Sequence, residues 1–220
     1  MPEGRITALK IQKRKKDRVN VFIDDQFAFG LSLIEAAKLR KGQTLTEAEI
    51  TRLRDKDAIQ QAIDRAARFL AYRPRSTDEV RRNLSKKNIP PTVIDAALEQ
   101  MSTQGYLDDR AFALFWIENR NAFKPLGSRA LRYELRQKRV PDTIIDEVLD
   151  AYGVDDADAA YRAASQRAGR LRNMTRRDFQ NKVGSFLQRR GFAYNIARVA
   201  IERLMEELDE PGYFVAPDED

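Results

Sequence analysis

Apolar residues alternate with polar ones near the start of the chain, and later they recur at helical spacing. The alternation runs through residues 6–12, 18–23 and 27–31 and is rich in β-branched side chains. A period of two with short connections predicts a small antiparallel β-meander. Short helices are expected near residues 33–39 and from Thr46, where the sequence Thr-Glu-Ala-Glu resembles a capping box.

The helical part of the sequence repeats itself with a period of 51 residues. Residues 71–98 align without gaps with residues 122–149, and ten of the 28 positions are identical. About two identities are expected by chance at average residue usage. The identical pairs are Ala71/Ala122, Pro74/Pro125, Arg81/Arg132, Leu84/Leu135, Lys87/Lys138, Pro90/Pro141, Thr92/Thr143, Ile94/Ile145, Asp95/Asp146 and Leu98/Leu149. Prolines and glycines divide each copy into apolar-periodic segments, so the pattern predicts tandem three-helix repeats.

A third, more degenerate copy follows the first two. Residues 187–192 occupy the place of residues 135–140, and five additional residues separate a helix start near Thr175 from Leu187. The predicted fold is therefore mainly α: an elongated array of three tandem three-helix repeats preceded by the β-meander. The expected divisions are residues 1–55 for the meander and short helices, 56–104, 105–153 and 154–208 for the three repeats, and 209–220 for an acidic tail that is expected to fray.

The second repeat carries an aromatic stripe on its first predicted helix. Phe112, Phe115, Trp116 and Asn119 recur at i, i+3, i+4 and i+7. Such a stripe could stack nucleic-acid bases, but this spacing is more typical of a core face. We interpret it as core, completed by leucines of the next helix.

The composition excludes several kinds of chemistry. The 220 residues include no cysteine and no histidine, which rules out disulfides, thiolate or imidazole metal ligands, and Ser-His or Cys-His nucleophiles. No glycine-rich phosphate loop is present, and paired acids such as Asp108-Asp109 stand at predicted helix starts, where capping explains them. We predict no enzyme activity, no cofactor and no metal site.

Charge and hydropathy narrow the choice of partner. The formal net charge is +6, and 34% of the residues are charged, which favours nucleic acid or an acidic protein surface. Residues 1–20 lack the apolar segment of a signal peptide, and no run of apolar residues is long enough to span a membrane. A cytoplasmic protein without a membrane partner is expected.

Basic residues recur at similar places in every repeat. In the second repeat, four arginines at i, i+3, i+7 and i+10 fall within an arc of about 80° on an ideal helix. An uncompensated row suits bidentate contact with phosphates or carboxylates, and the alternative is a solvated face balanced by neighbouring acids. We favour the binding surface. The candidate residues for binding a partner or nucleic acid are Arg129, Arg132, Arg136, Lys138, Arg139, Arg120, Lys124, Arg81, Arg82, Lys86, Lys87, Arg189 and Arg190.

The loop between the first two predicted strands is also basic. Residues 1–20 hold seven Lys or Arg against two acids, and the run from Lys13 to Lys16 contains only cations. We interpret this run as a charged loop that discourages edge pairing of strands, and a phosphate clamp is the alternative.

Several motifs stand out, most of them in the second repeat. They are Gly105-Tyr-Leu-Asp-Asp109 with Phe112, Ala113 and Trp116, then Arg132-Tyr-Glu-Leu-Arg-Gln-Lys138 with Val140-Pro and Ile144-Ile-Asp146, then Arg189-Arg-Gly-Phe192, and finally Phe27-Ala-Phe-Gly30 of the meander. Together these motifs resemble the RecX family of recombination regulators, whose central motif the second repeat matches. The similarity extends over about residues 6–208. It implies a modulator that binds the RecA recombinase filament on DNA, within its helical groove, and suppresses ATPase activity and strand exchange.

Three hypotheses follow from these features. The first is a monomeric, non-enzymatic regulator of the RecA filament that acts in recombination and DNA repair. The second is a protein that binds single- or double-stranded DNA directly through helix-turn-helix-like modules, with salt-sensitive affinity. The third is a helical-repeat scaffold for an unrelated acidic protein.

Overall fold

The structure is a computed structural model that describes residues 3–153, 155–210 and 212–215. The chain is mainly helical, as predicted, with a small antiparallel sheet at its start. In chain order the elements are β1 (Gly4–Ile11), β2 (Arg18–Ile23), β3 (Gln26–Ser32), α1 (Leu33–Ala36), β4 (Thr44–Leu45), α2 (Glu47–Leu70), α3 (Thr77–Ser85), α4 (Pro91–Thr103), α5 (Asp109–Phe123), α6 (Ser128–Gln137), α7 (Asp142–Tyr152), α8 (Asp156–Ala168), α9 (Arg176–Arg189) and α10 (Tyr194–Glu207).

The sheet confirms the predicted meander and adds one strand to it. Its strand order is β3-β2-β1-β4, and all neighbouring strands are antiparallel. Asp24 and Asp25 form the β2–β3 turn with φ of 47° and 64°, the left-handed values that suit a tight hairpin. The unpredicted strand β4 is two residues long and pairs only with Gly4 and Arg5. A strand this short carries no readable alternation.

Helix α2 joins two segments that the sequence predicts to be separate: the short helix from Thr46 and the start of the first repeat. It runs for 24 residues from a capping box in which the Thr46 hydroxyl accepts from the amide of Glu49 and the Glu49 carboxylate accepts from the amide of Thr46. The same helix continues into the first repeat, where Ala62 and Ala66 are fully buried. The boundary predicted between residues 55 and 56 therefore falls inside one helix.

The chain divides into two compact units. The first comprises residues 1–73 with residues 80–107, and the second comprises residues 74–79 with residues 108–220. In the first unit, one buried cluster lies under the sheet, and a second is formed by the apolar faces of α2, α3 and α4. The members of the second cluster include Val80, Leu84, Ile94, Ala97, Leu98 and Met101.

The second unit contains the cores of the second and third repeats. Phe112, Leu131 and Leu135 are buried in the second-repeat cluster, as predicted. In the third repeat, five buried alanines on α8 allow close packing of this helix, and α9 and α10 contribute the large apolar side chains. The helix start predicted near Thr175 is confirmed, since the Thr175 hydroxyl caps α9.

Part of the acidic tail packs against the third repeat. The Tyr213 hydroxyl donates to the carbonyl of Ala168 at 2.8 Å, and the rings of Tyr213 and Phe214 both contact Phe179 edge-on. The expectation of fraying is therefore wrong for residues 212–215, because two aromatic side chains bury area on this module. Residues 216–220 lie outside the described part of the chain.

Among the described residues, no helix combines the length and the apolar character that crossing a membrane requires.

Candidate functional site

The predicted row of four arginines on one helix face does not form. Arg132 pairs with Asp146, and the Arg136 Nε lies 2.6 Å from Asp142 Oδ1, so two members of the row face carboxylates of α7. Arg139 has a φ of 58° and follows the end of α6, so it is not on the helix. The uncompensated row was wrong because a helical wheel treats α6 alone, whereas the acids come from the next helix.

Three cations of the second repeat remain exposed and available. Arg129, Arg139 and Lys124 have no ion pair or side-chain hydrogen bond to any described residue. Arg129 lies in the first turn of α6, and Lys124 ends α5. These side chains can meet an external anion without giving up an existing partner.

The paired arginines of the row are held only weakly. More than half of the Arg136 and Asp142 side-chain surface is accessible, and exposed ion pairs contribute about 0–1 kcal/mol. The hydrogen bond from Arg136 lowers the pKa of Asp142, so this carboxylate is ionised at neutral pH. Arg132 and Arg136 can therefore exchange their aspartates for a phosphate or carboxylate of a partner at small cost.

Trp116 organises the remaining basic residues of the second repeat. Its indole Nε1 donates to Glu134 at 2.8 Å, and the Arg120 guanidinium both pairs with Glu134 and lies 4.4 Å from the ring centroid. Lys138 Nζ lies 4.9 Å from the same ring and 2.9 Å from Glu79. These cation–π and ionic contacts hold Arg120 and Lys138 in structural roles.

The aromatic stripe is core at one end and half-buried at the other. Phe112 is buried, Trp116 packs against the edge of the core cluster, and Phe115 is partly exposed and outside that cluster. The interpretation of the stripe as core is confirmed for Phe112. For Trp116 it holds in part, because Arg120 and Lys138 also contact its ring.

Trp116→Ala is expected to lower the free energy of unfolding by about 3 kcal/mol. The substitution removes apolar packing against Phe112 and the cation–π contact with Arg120. Urea titration followed by circular dichroism measures this loss. Trp116→Phe retains a ring in the same place and should recover more than half of it. A fully stable Trp116→Ala variant that no longer binds a partner would make Trp116 a contact residue.

The first repeat offers a mixed set of cations. Arg81 pairs with Asp95, whereas Lys86 and Lys87 are exposed and have no ion pair within the described chain. Arg82 is exposed. The Arg81–Asp95 pair matches the Arg132–Asp146 pair at the same 51-residue shift, since both members are identical positions of the repeat. The repeat alignment thus already contained the signal that these arginines are compensated.

In the third repeat the two candidate arginines differ. Arg189 is exposed, whereas Arg190 donates from Nη1 to the carbonyl of Pro125 at 3.1 Å and covers the Phe186 ring at 4.7 Å. Partial burial lowers the pKa of Arg190, although an arginine remains charged at any physiological pH. Arg190 therefore joins the second and third repeats.

A recurring pair of hydrogen bonds docks the start of a second helix onto the following repeat. Ahead of α3, the Ser76 hydroxyl donates to the carbonyl of Lys138 at 2.8 Å, and the Thr77 amide donates to Asp109 at 2.8 Å. Ahead of α6, the Gly127 amide donates to the carbonyl of Arg190 at 3.0 Å, and the Ser128 amide donates to Asp156 at 3.0 Å. Both sets lie within the second unit.

The acceptors occupy corresponding places in the two repeats. Lys138 and Arg190 each end a second helix, and Asp109 and Asp156 each begin a first helix. Burial raises the pKa of Asp109, and the hydrogen bonds from Thr77 only partly oppose this shift. Asp109 and Asp156 thus begin helices and also accept hydrogen bonds from the starts of α3 and α6.

Two exposed aromatic residues were not among the predicted site residues. Tyr72 is 85% exposed and Phe123 is 77% exposed, although large aromatic side chains are usually buried. They occupy equivalent positions of the repeat, and each is followed by a cation and then a proline, Arg73-Pro74 or Lys124-Pro125. The repeat alignment paired these aromatics, and their exposure required the structure.

No metal site is formed by the described residues, among which three or more Asp or Glu side chains nowhere come together in a suitable cluster.

Family models match the chain in four consecutive segments. The Regulatory protein RecX N-terminal domain matches residues 4–46, and the first, second and third three-helix domains of RecX match residues 62–101, 108–149 and 155–201. The chain belongs to the RecX family.

Individual RecX proteins agree with this assignment. The chain is 30% identical to Regulatory protein RecX of Bacillus licheniformis over 208 residues, which cover 93% of this chain and 79% of that protein. It is 29% identical to Regulatory protein RecX of Bacillus subtilis over the same shares of both chains. One solved structure, of regulatory protein RecX, superposes with a TM-score of 0.73 at 24% identity and covers 90% of this chain and 99% of its own. The structure of RecX from Lactobacillus salivarius gives a TM-score of 0.60 at 23% identity, over 69% and 99% of the two chains.

The RecX domain matches also place the candidate residues. The available cations Arg129, Arg139 and Lys124 lie in the second three-helix domain, Lys86 and Lys87 lie in the first, and the basic run at residues 13–16 lies in the N-terminal domain. Each of these three RecX domains therefore carries exposed positive charge of its own.

Proposed function

We propose that this RecX family protein regulates the RecA recombinase by binding its filament on DNA and lowering its ATPase and strand-exchange activities. The main support is that all four RecX domains match in order along the chain. The protein acts as a binding partner, without cofactor or catalysis, in recombination and DNA repair.

Basic residues that recur from one repeat to the next suit a polymeric partner. The proposed contacts are drawn from the thirteen candidate cations, and the exposed ones without an ion pair in the described chain contribute most: Arg129, Arg139 and Lys124 in the second repeat, Lys86 and Lys87 in the first, and Arg189 in the third. A protein that touches several filament subunits at once gains affinity through multivalency.

Binding of this kind regulates without catalytic groups. A ligand shifts a conformational equilibrium only by its differential affinity for the two states. A protein that fits one conformation of the filament across neighbouring subunits stabilises that conformation, and every ATP-driven step that departs from it becomes slower. Inhibition of ATPase and of strand exchange then share one cause.

The available arginines provide a direct test in filament co-sedimentation. Replacing Arg129 and Arg139 by alanine is expected to weaken filament binding at least about tenfold, because charged hydrogen bonds contribute about 1.5–3 kcal/mol each. The matched control replaces Arg132 and Arg136, which removes the same charge from residues that already have carboxylate partners. Its effect should be clearly smaller.

Two results would count against this proposal at different levels. If the unmodified protein leaves the DNA-dependent ATPase of the recombinase unchanged over a wide concentration range, filament regulation is wrong. If the unmodified protein lowers the ATPase activity but the Arg129 and Arg139 variant binds the filament with full affinity, the function stands and the contact surface lies elsewhere. Lys86 and Lys87 of the first repeat are then the next residues to replace.

The exposed aromatics favour direct DNA binding as a second candidate function. A base can stack on Tyr72 or Phe123, and beside Phe123 the exposed Lys124 can contact a phosphate, which is the arrangement that binds single strands without sequence preference. Sedimentation with DNA alone separates the two functions. Salt-sensitive binding to naked DNA that is lost when Tyr72 and Phe123 are replaced supports the second function, whereas filament binding that survives the same replacement supports the first.

A further inference from the structure

The loop between β1 and β2 presents the longest uninterrupted run of cations in the sequence. Lys13, Arg14, Lys15 and Lys16 are all exposed, and none of their side chains has an ion pair, hydrogen bond or ring contact with the part of the chain that the structure describes. We name these four residues the hairpin tip. By contrast, Arg81 and Arg132 of the repeats each form an ion pair with an aspartate of the following helix.

Guarding a sheet edge does not explain the hairpin tip. Charges discourage edge-to-edge pairing when they lie on the edge strand itself. The part of β1 beyond its pairing with β4 already carries Lys10 on the strand, whereas the hairpin tip follows Ile11, the last β1 residue in register with β2. The charge of the tip therefore needs another function.

The base of the loop is held in place by buried polar contacts. Arg18 donates twice to Asp57 of α2, at 3.0 and 2.7 Å, and Gln61 donates to the same carboxylate at 2.7 Å. The Gln12 side chain donates to Asn20 at 2.7 Å, and the Gln12 amide donates to the carbonyl of Arg18 at 2.9 Å. The tip is thus presented from a fixed base, which limits the entropy lost when it binds.

We infer that the hairpin tip binds the phosphate backbone of a nucleic acid. Four adjacent cations with no internal partner match a chain of closely spaced negative charges and release its counterions on binding. The segment from Gln12 to Asp17 contains no aromatic residue to stack on bases, so this contact does not depend on base sequence. It also contains no apolar residue to insert into a lipid surface, which favours nucleic acid over an anionic membrane.

The tip is separate from the repeat surfaces proposed above to contact the filament. Its test contains DNA and no recombinase, so failure of one proposal leaves the other unaffected. The full-length protein is titrated against a fluorescent oligothymidylate at several salt concentrations. The tip variant replaces Lys13, Arg14, Lys15 and Lys16 by alanine, and circular dichroism verifies its fold.

A charge-matched control separates location from net charge. Replacing Lys38, Arg110, Arg198 and Arg203 by glutamine removes four charges as well, but each of these residues is exposed and paired with a glutamate. In the tip variant, the slope of log affinity against log salt concentration should decrease in magnitude by about 3, because each of the four lost single-strand phosphate contacts contributes about 0.7 to this slope. The control should retain most of the slope. A second variant, with Lys13, Lys15 and Lys16 all changed to arginine, should bind like the unmodified protein.

Several outcomes would overturn the inference. Absence of oligothymidylate binding by the unmodified protein would do so, as would a tip variant whose slope and affinity are unchanged. Equal losses of DNA affinity in the tip variant and the control would mean that binding depends on the net charge of the protein and not on the hairpin tip. Tip-dependent binding to phosphatidylserine vesicles without binding to DNA would identify a membrane as the anion.

Discussion

A Gly191→Ala variant is expected to lose the packing between the second and third repeats. Gly191 has a φ of 82°, and an added Cβ would lie 2.5 Å from the Cβ and 2.6 Å from the amide nitrogen of Ala130 on α6. Backbone atoms of a helix cannot move aside as a flexible side chain can. Left-handed strain of about 1–3 kcal/mol and overpacking of about 1–3 kcal/mol both oppose the native contact. We expect the free energy of unfolding to fall by about 3 kcal/mol or more.

Gly153→Ala is the matched control for this variant. Gly153 also has a positive φ, 61°, but an added Cβ there meets no atom within 4 Å. The control therefore measures backbone strain alone, about 1–2 kcal/mol. Urea titration gives the difference between the two variants, and hydrogen exchange of α8–α10 shows whether the third repeat opens separately. Equal losses of stability in both variants would mean that the Gly191 contact does not hold the repeats together.

The contact at Gly191 lies beside the hydrogen bond from the Gly127 amide to the carbonyl of Arg190, one of the recurring hydrogen bonds ahead of the second helices. Gly127 approaches it from the other side, where an added Cβ would lie 2.5 Å from the carbonyl oxygen of Gly191. In the corresponding place before α3, Ser76 is fully buried and uses its hydroxyl to reach Lys138. The connection ahead of α3 thus uses a side-chain hydroxyl, whereas the connection ahead of α6 uses close contact between two backbone segments. Both hold a segment ahead of a second helix against groups of the second unit.

Much of the repeat architecture could be predicted because its causes are local in the sequence. Helix starts at Thr46, Asp108 and Thr175 follow from side-chain capping, and the buried leucines of α3 and α6 follow from helical spacing. The five additional residues of the third repeat did not conceal it, since Leu187 and Phe192 still occupy core positions.

The candidate site was harder to predict because its charge balance depends on contacts between helices. Asp142 and Asp146 compensate two arginines only after α7 has folded back on α6. The left-handed turn at Arg139 removes a third arginine from the predicted row. No helical wheel contains this information. The repeat alignment contained part of it, because it preserved both Arg132 and Asp146 as identities, each matching an ion-paired residue in the first repeat.

The buried ion pair at the base of the hairpin predicts the second large effect. Asp57 is 7% exposed, and the Arg18 side chain that it binds is 13% exposed. Asp57→Ala leaves the Arg18 guanidinium buried without its counter-charge, and removal of one partner of such a pair destabilises a protein by about 3–5 kcal/mol. The loss should be confined to the first unit. Because the only tryptophan, Trp116, lies in the second unit, its fluorescence transition in urea should stay in place while part of the circular dichroism signal is lost earlier.

The double variant Arg18→Met with Asp57→Leu distinguishes charge burial from general damage. Replacement of a buried ion pair by apolar residues of similar volume is often neutral or stabilising, so the double variant should regain most of the stability lost by Asp57→Ala. Failure to recover would mean that the geometry of the Arg18–Asp57–Gln61 contacts, and not the unpaired charge, stabilises the unit. The single variant also bears on nucleic-acid binding. This variant keeps all four tip cations but loses the contacts that hold the base of the loop. Its affinity for DNA should fall, because binding must then also order the loop and lose conformational entropy.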